Sequence, residues 1–98
     1  MAIDRGERSG FEVTEGQREA IEEAMRIIIE EDRDRGIDPL ARFRCERCRR
    51  PEHLLGSVLY GDIRLCNLCA TTFEVARISG RVRTCAQYVG GRRIRTMS

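Results

Sequence analysis

The chain has 98 residues, of which 41% are hydrophobic, 35% charged and 5% aromatic, with no Trp and a formal net charge of +2. A chain this short has room for one small core, buries a modest share of its surface, and commonly needs a metal or disulfides as a staple. No run approaches the roughly 18 consecutive apolar residues of a membrane span, and Asp4, Arg5, Glu7 and Arg8 stand where a signal peptide would need an apolar stretch.

The expectation is therefore an intracellular protein, cytoplasmic or, in a eukaryote, nuclear, with no membrane partner. The reducing compartment bears on the five cysteines, because it disfavours disulfides and favours metal binding or redox chemistry. Charge is uneven. Met1 to Asp38 holds twelve acids and six Arg, Pro39 to Glu74 four acids and six Arg, and Val75 onward six Arg with no acid. All eighteen basic residues are Arg. A genome rich in G and C explains this, and the alternative is a use for planar guanidinium forks on phosphate, carboxylate or base edges.

Residues 1–13 mix Gly, Ser and charges without periodicity and read as a flexible leader. Thr14 opens a helix. Thr14 with Gln17 fits a capping box, Ala20, Ile21, Ala24, Met25 and Ile28 recur on one face, and Gly36 suits the stop, so 14–36 is predicted as an acidic amphipathic helix. Its apolar face needs a cover, either the rest of its own chain or a second copy or protein partner. Glu22, Glu23, Glu30, Glu31, Asp32 and Asp34 predict a solvated acidic surface, or one that docks on a basic partner. Asp38-Pro39 separates this helix from the cysteine region.

From Arg42 to Arg50 a short hairpin is expected to carry the first cysteine pair, and from Ser57 to Leu65 one or two short strands follow. A helix is predicted over 67–78, with Leu68, Phe73 and Val75 or Ala76 available for packing and Ser79-Gly80 ending it. Residues 81–98 form a basic tail, read either as a β-hairpin turning at Gly90-Gly91 or as a disordered extension.

Cys45-Glu46-Arg47-Cys48 and Cys66-Asn67-Leu68-Cys69 are two C-x-x-C pairs with seventeen residues between them. Each turn presents two thiolates on one side, and two such turns facing each other supply the four tetrahedral corners that Zn²⁺ takes. One structural zinc held by Cys45, Cys48, Cys66 and Cys69 is therefore expected, with an iron–sulfur centre or redox dithiols as alternatives. With all four positions filled, no site stays open for water or a small-molecule substrate. No glycine-rich phosphate loop or Ser/His/Asp set is present, so the protein is not expected to be an enzyme. His53, the one histidine, reads as a surface or packing residue rather than a replacement ligand, and Cys85 as a buried thiol rather than a redox or intermolecular cysteine.

These readings predict a small α+β zinc-stabilised domain over 37–80, preceded by the amphipathic helix and followed by the Arg-rich tail or β-hairpin. The spacing, with Leu65 before Cys66-Asn67-Leu68-Cys69, resembles the four-cysteine GATA-type zinc finger, whose second knuckle reads L-C-N-x-C and opens a helix. The likeness covers roughly 43–78. It implies a treble-clef fold, DNA binding through the finger's helix, and contacts from a following basic tail. Arg77, Arg81, Arg83, Arg92, Arg93 and Arg95 are the arginines so placed. That family's Thr-Pro-x-Trp-Arg-Arg strand has no counterpart in Leu54, Leu55, Gly56, Ser57 and Val58. The order of acidic helix and C-terminal finger is also similar to the DksA/TraR-type proteins, a likeness that implies binding to bacterial RNA polymerase. Two functions follow as expectations. One is a transcription-related regulator contacting DNA or RNA through the finger helix and tail. The other is an adaptor that binds a protein or homodimerises through the 14–36 helix.

Overall fold

The computed structural model describes residues 13–90. The leader over 1–12 and the tail from Gly91, with Arg92, Arg93 and Arg95, lie outside the described residues.

Helix α1 spans Glu15–Asp34. Thr14 caps it as the sequence predicts: its hydroxyl accepts from the Gln17 N–H at 3.1 Å, and the Gln17 side-chain oxygen accepts from the Thr14 N–H at 2.9 Å. At the other end the N–H of Gly36 donates to the Arg33 carbonyl and that of Ile37 to the Asp32 carbonyl, both at 3.0 Å. This closure needs a left-handed residue, and Gly36 supplies it at φ +87°.

Strands β1 (Arg42–Arg44) and β2 (Pro51–His53) pair antiparallel, with Arg42 opposite His53, Phe43 opposite Glu52 and Arg44 opposite Pro51. A second antiparallel hairpin joins β3 (Val58–Tyr60) to β4 (Ile63–Leu65). Helix α2 then runs over Asn67–Ile78, the span predicted from the sequence, and ends with the same pair of capping bonds at Gly80 and Arg81.

The core lies between α1, β4 and α2. Ile21 and Met25 of α1 pack with Ile63, Leu65, Ala70, Phe73 and Val75, so the helix covers part of its apolar face on its own chain. The buried stripe of α1 is narrower than predicted. Ala20 and Ala24 are exposed, while Asp32 continues the stripe of Ile21, Met25 and half-buried Ile28. Phe73 meets Tyr60 edge-on, centroids 4.8 Å apart, and Tyr88 at 5.4 Å.

Three expectations are corrected. Residues 81–90 form no hairpin arm; Thr84 caps a short helix α3, Cys85–Tyr88. Thr84-x-x-Gln87 repeats the capping box of Thr14 and Gln17, and the buried residues Cys85 and Val89 stand four apart, a helical spacing. Leu68 is 68% exposed and packs on nothing in the core. Cys66 and Cys69 point one side of the first turn at the cluster and Ala70 and Phe73 bury the next, which leaves Leu68 facing out. Asp32, expected on the acidic surface, is buried instead, because its carboxylate accepts the Gly56 N–H at 2.8 Å.

Candidate metal centre

The first knuckle is the turn joining β1 to β2. The Cys45 N–H donates to the Arg50 carbonyl at 3.0 Å and the Arg49 N–H to the Cys45 carbonyl at 2.9 Å, closing a loop that brings Cys45 and Cys48 to one side. The second knuckle is the start of α2. Cys66 is the N-cap residue, and its sulfur accepts the Cys69 N–H at 3.5 Å, the task a Ser or Thr oxygen performs elsewhere. The two knuckles are stitched together by the Glu46 N–H donating to the Arg64 carbonyl at 3.3 Å.

The four Sγ atoms of Cys45, Cys48, Cys66 and Cys69 all lie within 4.8 Å of one another. A tetrahedron with metal–sulfur bonds of about 2.3 Å has edges of roughly 3.8 Å, so a small contraction would seat one ion. Cys45 and Cys66 are buried, and Cys48 and Cys69 are half-buried. The donor set thus fits one closed four-thiolate site. His53 is exposed on β2 and outside the cluster, and Cys85 is a buried core thiol that is not one of the four.

The electrostatics of the four sulfurs differ. Burial alone would raise the Cys45 thiol, but the backbone N–H groups of Cys48, Cys66 and Arg47 converge on its sulfur and bring it down to about 7. Two of these are N–H···S bonds of 3.4 Å, from Arg47 and Cys66. Burial and the neighbouring sulfurs hold Cys66 and Cys69 above the ordinary thiol range. The Arg50 guanidinium sits against Cys48 and also faces Glu52 at 3.6 Å, so a cation compensates the outer edge of the site.

Of the arginines predicted to touch nucleic acid, Arg77 stands at the last turn of α2 and is engaged by Glu74, with Nε 3.2 Å from its carboxylate. Arg81 and Arg83 are exposed beyond the helix end. The structure does not bring these three to the metal centre. Arg42, Arg44, Arg47, Arg49 and Arg50 lie on the hairpin that carries the first knuckle, and of these Arg50 sits against Cys48. Asn67 and Gly56 were likewise not anticipated as functional. Asn67 bridges the second knuckle to α1 and to the Gly56 loop.

No family model, no curated protein and no solved structure matches the chain. The site and fold define a small α+β domain, two antiparallel hairpins and a packed helix pair, with a four-cysteine cluster placed to hold a metal ion. Among the described residues no helix is long and apolar enough to cross a membrane.

Proposed function

We infer that the chain is a zinc-stabilised, treble-clef-like module with no catalytic role of its own, which presents arginine-rich surfaces to nucleic acid as part of a transcription-related regulator. The observation carrying this reading is the closed cluster of four sulfurs within 4.8 Å, two from a hairpin turn and two from a helix start. That division of ligands supports the treble-clef reading, and four thiolates leave no open coordination position. Zinc would supply the cross-link between the two knuckles. The chain's own residues then do the rest: the N–H groups of Arg47 and Cys66 donate to the Cys45 sulfur and that of Cys69 to the Cys66 sulfur, which stabilises thiolate charge, Arg50 offsets it, and α2 is held rigid at its first turn.

Arg81 and Arg83 are exposed. A phosphate contact by each releases counterions, so affinity falls with salt. Metal analysis of purified protein should return one zinc per chain. Salt titration of duplex DNA and RNA binding should show a log–log slope that shrinks by about 1.8 in the R81Q/R83Q variant. Absence of binding to either duplex at low salt would overturn the nucleic-acid reading.

One observation favours a protein-binding adaptor as the second reading. Ala20, Ala24 and Ile28 of α1 and Ile78 of α2 line an open apolar groove, and Ile27 beside it is 40% exposed. A homodimer or a protein such as RNA polymerase would cover it. Self-association in a light-scattering concentration series, without nucleic-acid binding, would favour this second reading.

A further inference from the structure

Helix α1 carries more apolar surface than its own chain covers. Ile21, Met25 and half-buried Ile28 face the core, while Ala20, Ala24 and Ile27 are exposed. These three follow at spacings of four and three, so they form a second apolar stripe beside the buried one, and Glu31 continues it four residues on. Ala20 and Ala24 make one wall of an open groove whose other wall holds Glu74, Arg77 and Ile78 of α2.

The two helices that bound this groove run antiparallel. Asn67 at the start of α2 bonds to the Met25 carbonyl, whereas Arg77 and Ile78 at its end share the groove with Gln17 and Ala20 near the start of α1. The charges on the face are therefore separated along it. Arg77 is the cation of the groove lining and stands at the end where Gln17 lies. Glu31 stands at the opposite end, seven residues after Ala24, as Gln17 stands seven before it.

A two-fold axis through Ala24 exchanges these two ends, which is the condition for a self-complementary surface. With two copies of α1 antiparallel about that point, Glu31 of each copy meets Gln17 and Arg77 of the other. Arg77 already engages Glu74, but a guanidinium has five N–H donors and can answer a second carboxylate. The Gln17 side-chain oxygen is used in the helix cap, which leaves its NH₂ group to donate. The same symmetry sets Ile27 of each copy between Ala20 and Ala24 of the other, where two small side chains leave room for it.

The other charges nearby do not oppose this arrangement. Glu23 borders the stripe but pairs with Arg26, and the axis places the two pairs side by side with their signs alternating. Glu15, Arg18, Glu19, Glu22, Glu30 and Arg33 are turned about 90° or more from the stripe. Asp34 ends the helix beyond the groove, and Asp62, Arg81 and Arg83 are not in its lining. A foreign protein would have to supply an acid, an aliphatic side chain and a base in this order, and a second copy already carries them.

We propose that this face is an isologous dimer interface, in which two copies of the chain pack α1 against α1 antiparallel about Ala24, each Ile27 seated between Ala20 and Ala24 of the other copy and each Glu31 paired with the other copy's Arg77. This rests on the protein-binding reading above and names its occupant and register.

The test is sedimentation equilibrium of the zinc-loaded full chain over a concentration series, with E31R and R77E compared. The parent should dimerise. Each variant sets like charges against each other at both contacts of its own dimer, so its dissociation constant should rise at least about ten-fold. Both side chains are exposed, so zinc content and the far-UV spectrum should match the parent. In an equimolar mixture of E31R and R77E, opposite charges meet at both contacts again, and association should return to the parent's level. Misfolding of either variant could not be cured by mixing. A parent that dimerises while the variants dimerise equally well, or while their mixture stays dissociated, would overturn this interface and leave self-association through another face. A parent monomeric at the highest concentration would also overturn it, and the groove would then stand open to a different protein, so the protein-binding reading would outlast the proposal.

Discussion

The side-chain amide of Asn67 donates to the backbone carbonyl of Met25 at 3.2 Å, across 42 residues of sequence, and to that of Gly56 at 2.9 Å. Asn67 follows Cys66 directly and occupies the first turn of α2. One amide therefore ties the second knuckle to the middle of α1 and to the loop before β3. Asn67→Ala leaves both carbonyls without this donor, and a loss of about 1–3 kcal/mol is expected by chemical denaturation of the zinc-loaded protein. Metal stoichiometry should stay at one per chain, since no ligand is touched. A loss below about 0.5 kcal/mol would show that the bridge carries little of the docking free energy.

Gly56 stands at φ +84°, and a Cβ added there would come 2.5 Å from Ile29 Cγ1. Its N–H is committed to buried Asp32, so the loop has little freedom to move away. Gly56→Ala should cost about 2 kcal/mol or more, from left-handed strain and the clash together. In an Ile29→Ala background the clash with Ile29 is gone, and the strain of about 1–2 kcal/mol remains with a close 3.3 Å approach to Asn67 Nδ2. Equal costs in both backgrounds, measured as a double-mutant cycle, would remove the clash from the account.

The contrast between what was legible and what was not follows the range of the interaction. Thr14 with Gln17, Gly36, and the C-x-x-C pairs are local signals, each satisfied within a few residues, and they locate α1, both knuckles and α2. The docking of α1 is different. Asp32 to Gly56 and Asn67 to Met25 depend on how α1 docks on the loop before β3 and on α2, which no periodicity encodes, so Asp32 reads as one more surface acid. Leu68 failed for a related reason. Its apolar character suggested burial, but metal ligands and core residues had already taken the inward directions of that turn. Thr84 with Gln87 was as local as the first capping box, and Gly90-Gly91 drew the reading toward a hairpin instead.

Thr84 offers a test of the short helix it caps. Its hydroxyl accepts the Gln87 N–H at 3.1 Å, and a helix of four residues has little else to hold it. Thr84→Ala should cost about 1 kcal/mol and loosen α3. Cys85 supplies the readout, since burial holds it in the core and raises its thiol to about 11. In the zinc-loaded parent Cys85 should resist iodoacetamide at pH 8, and in Thr84→Ala its alkylation should accelerate several-fold. Rapid alkylation in the parent would contradict the buried position.

Acid should dismantle the metal centre, and the sulfurs specify how. A group held below its ordinary value contributes stability that is full above its unfolded pKa and lost as pH falls through its folded one. For the metal-free chain Cys45 places that window between about 9 and about 7. Cys66 and Cys69 are raised, so at pH 7 both carry protons until a metal displaces them. Zinc binding at pH 7 should therefore release at least about two protons, seen calorimetrically as a dependence of the apparent enthalpy on buffer ionisation heat. Affinity should correspondingly rise by at least about two log units per pH unit near neutrality. Chelation above pH 8 should unfold α2 at its first turn, because Cys66 caps that helix and the metal holds Cys66 and Cys69 together. Release of fewer than about one proton would mean that the sulfurs are already ionised before the metal arrives, and that the convergence of N–H donors extends beyond Cys45.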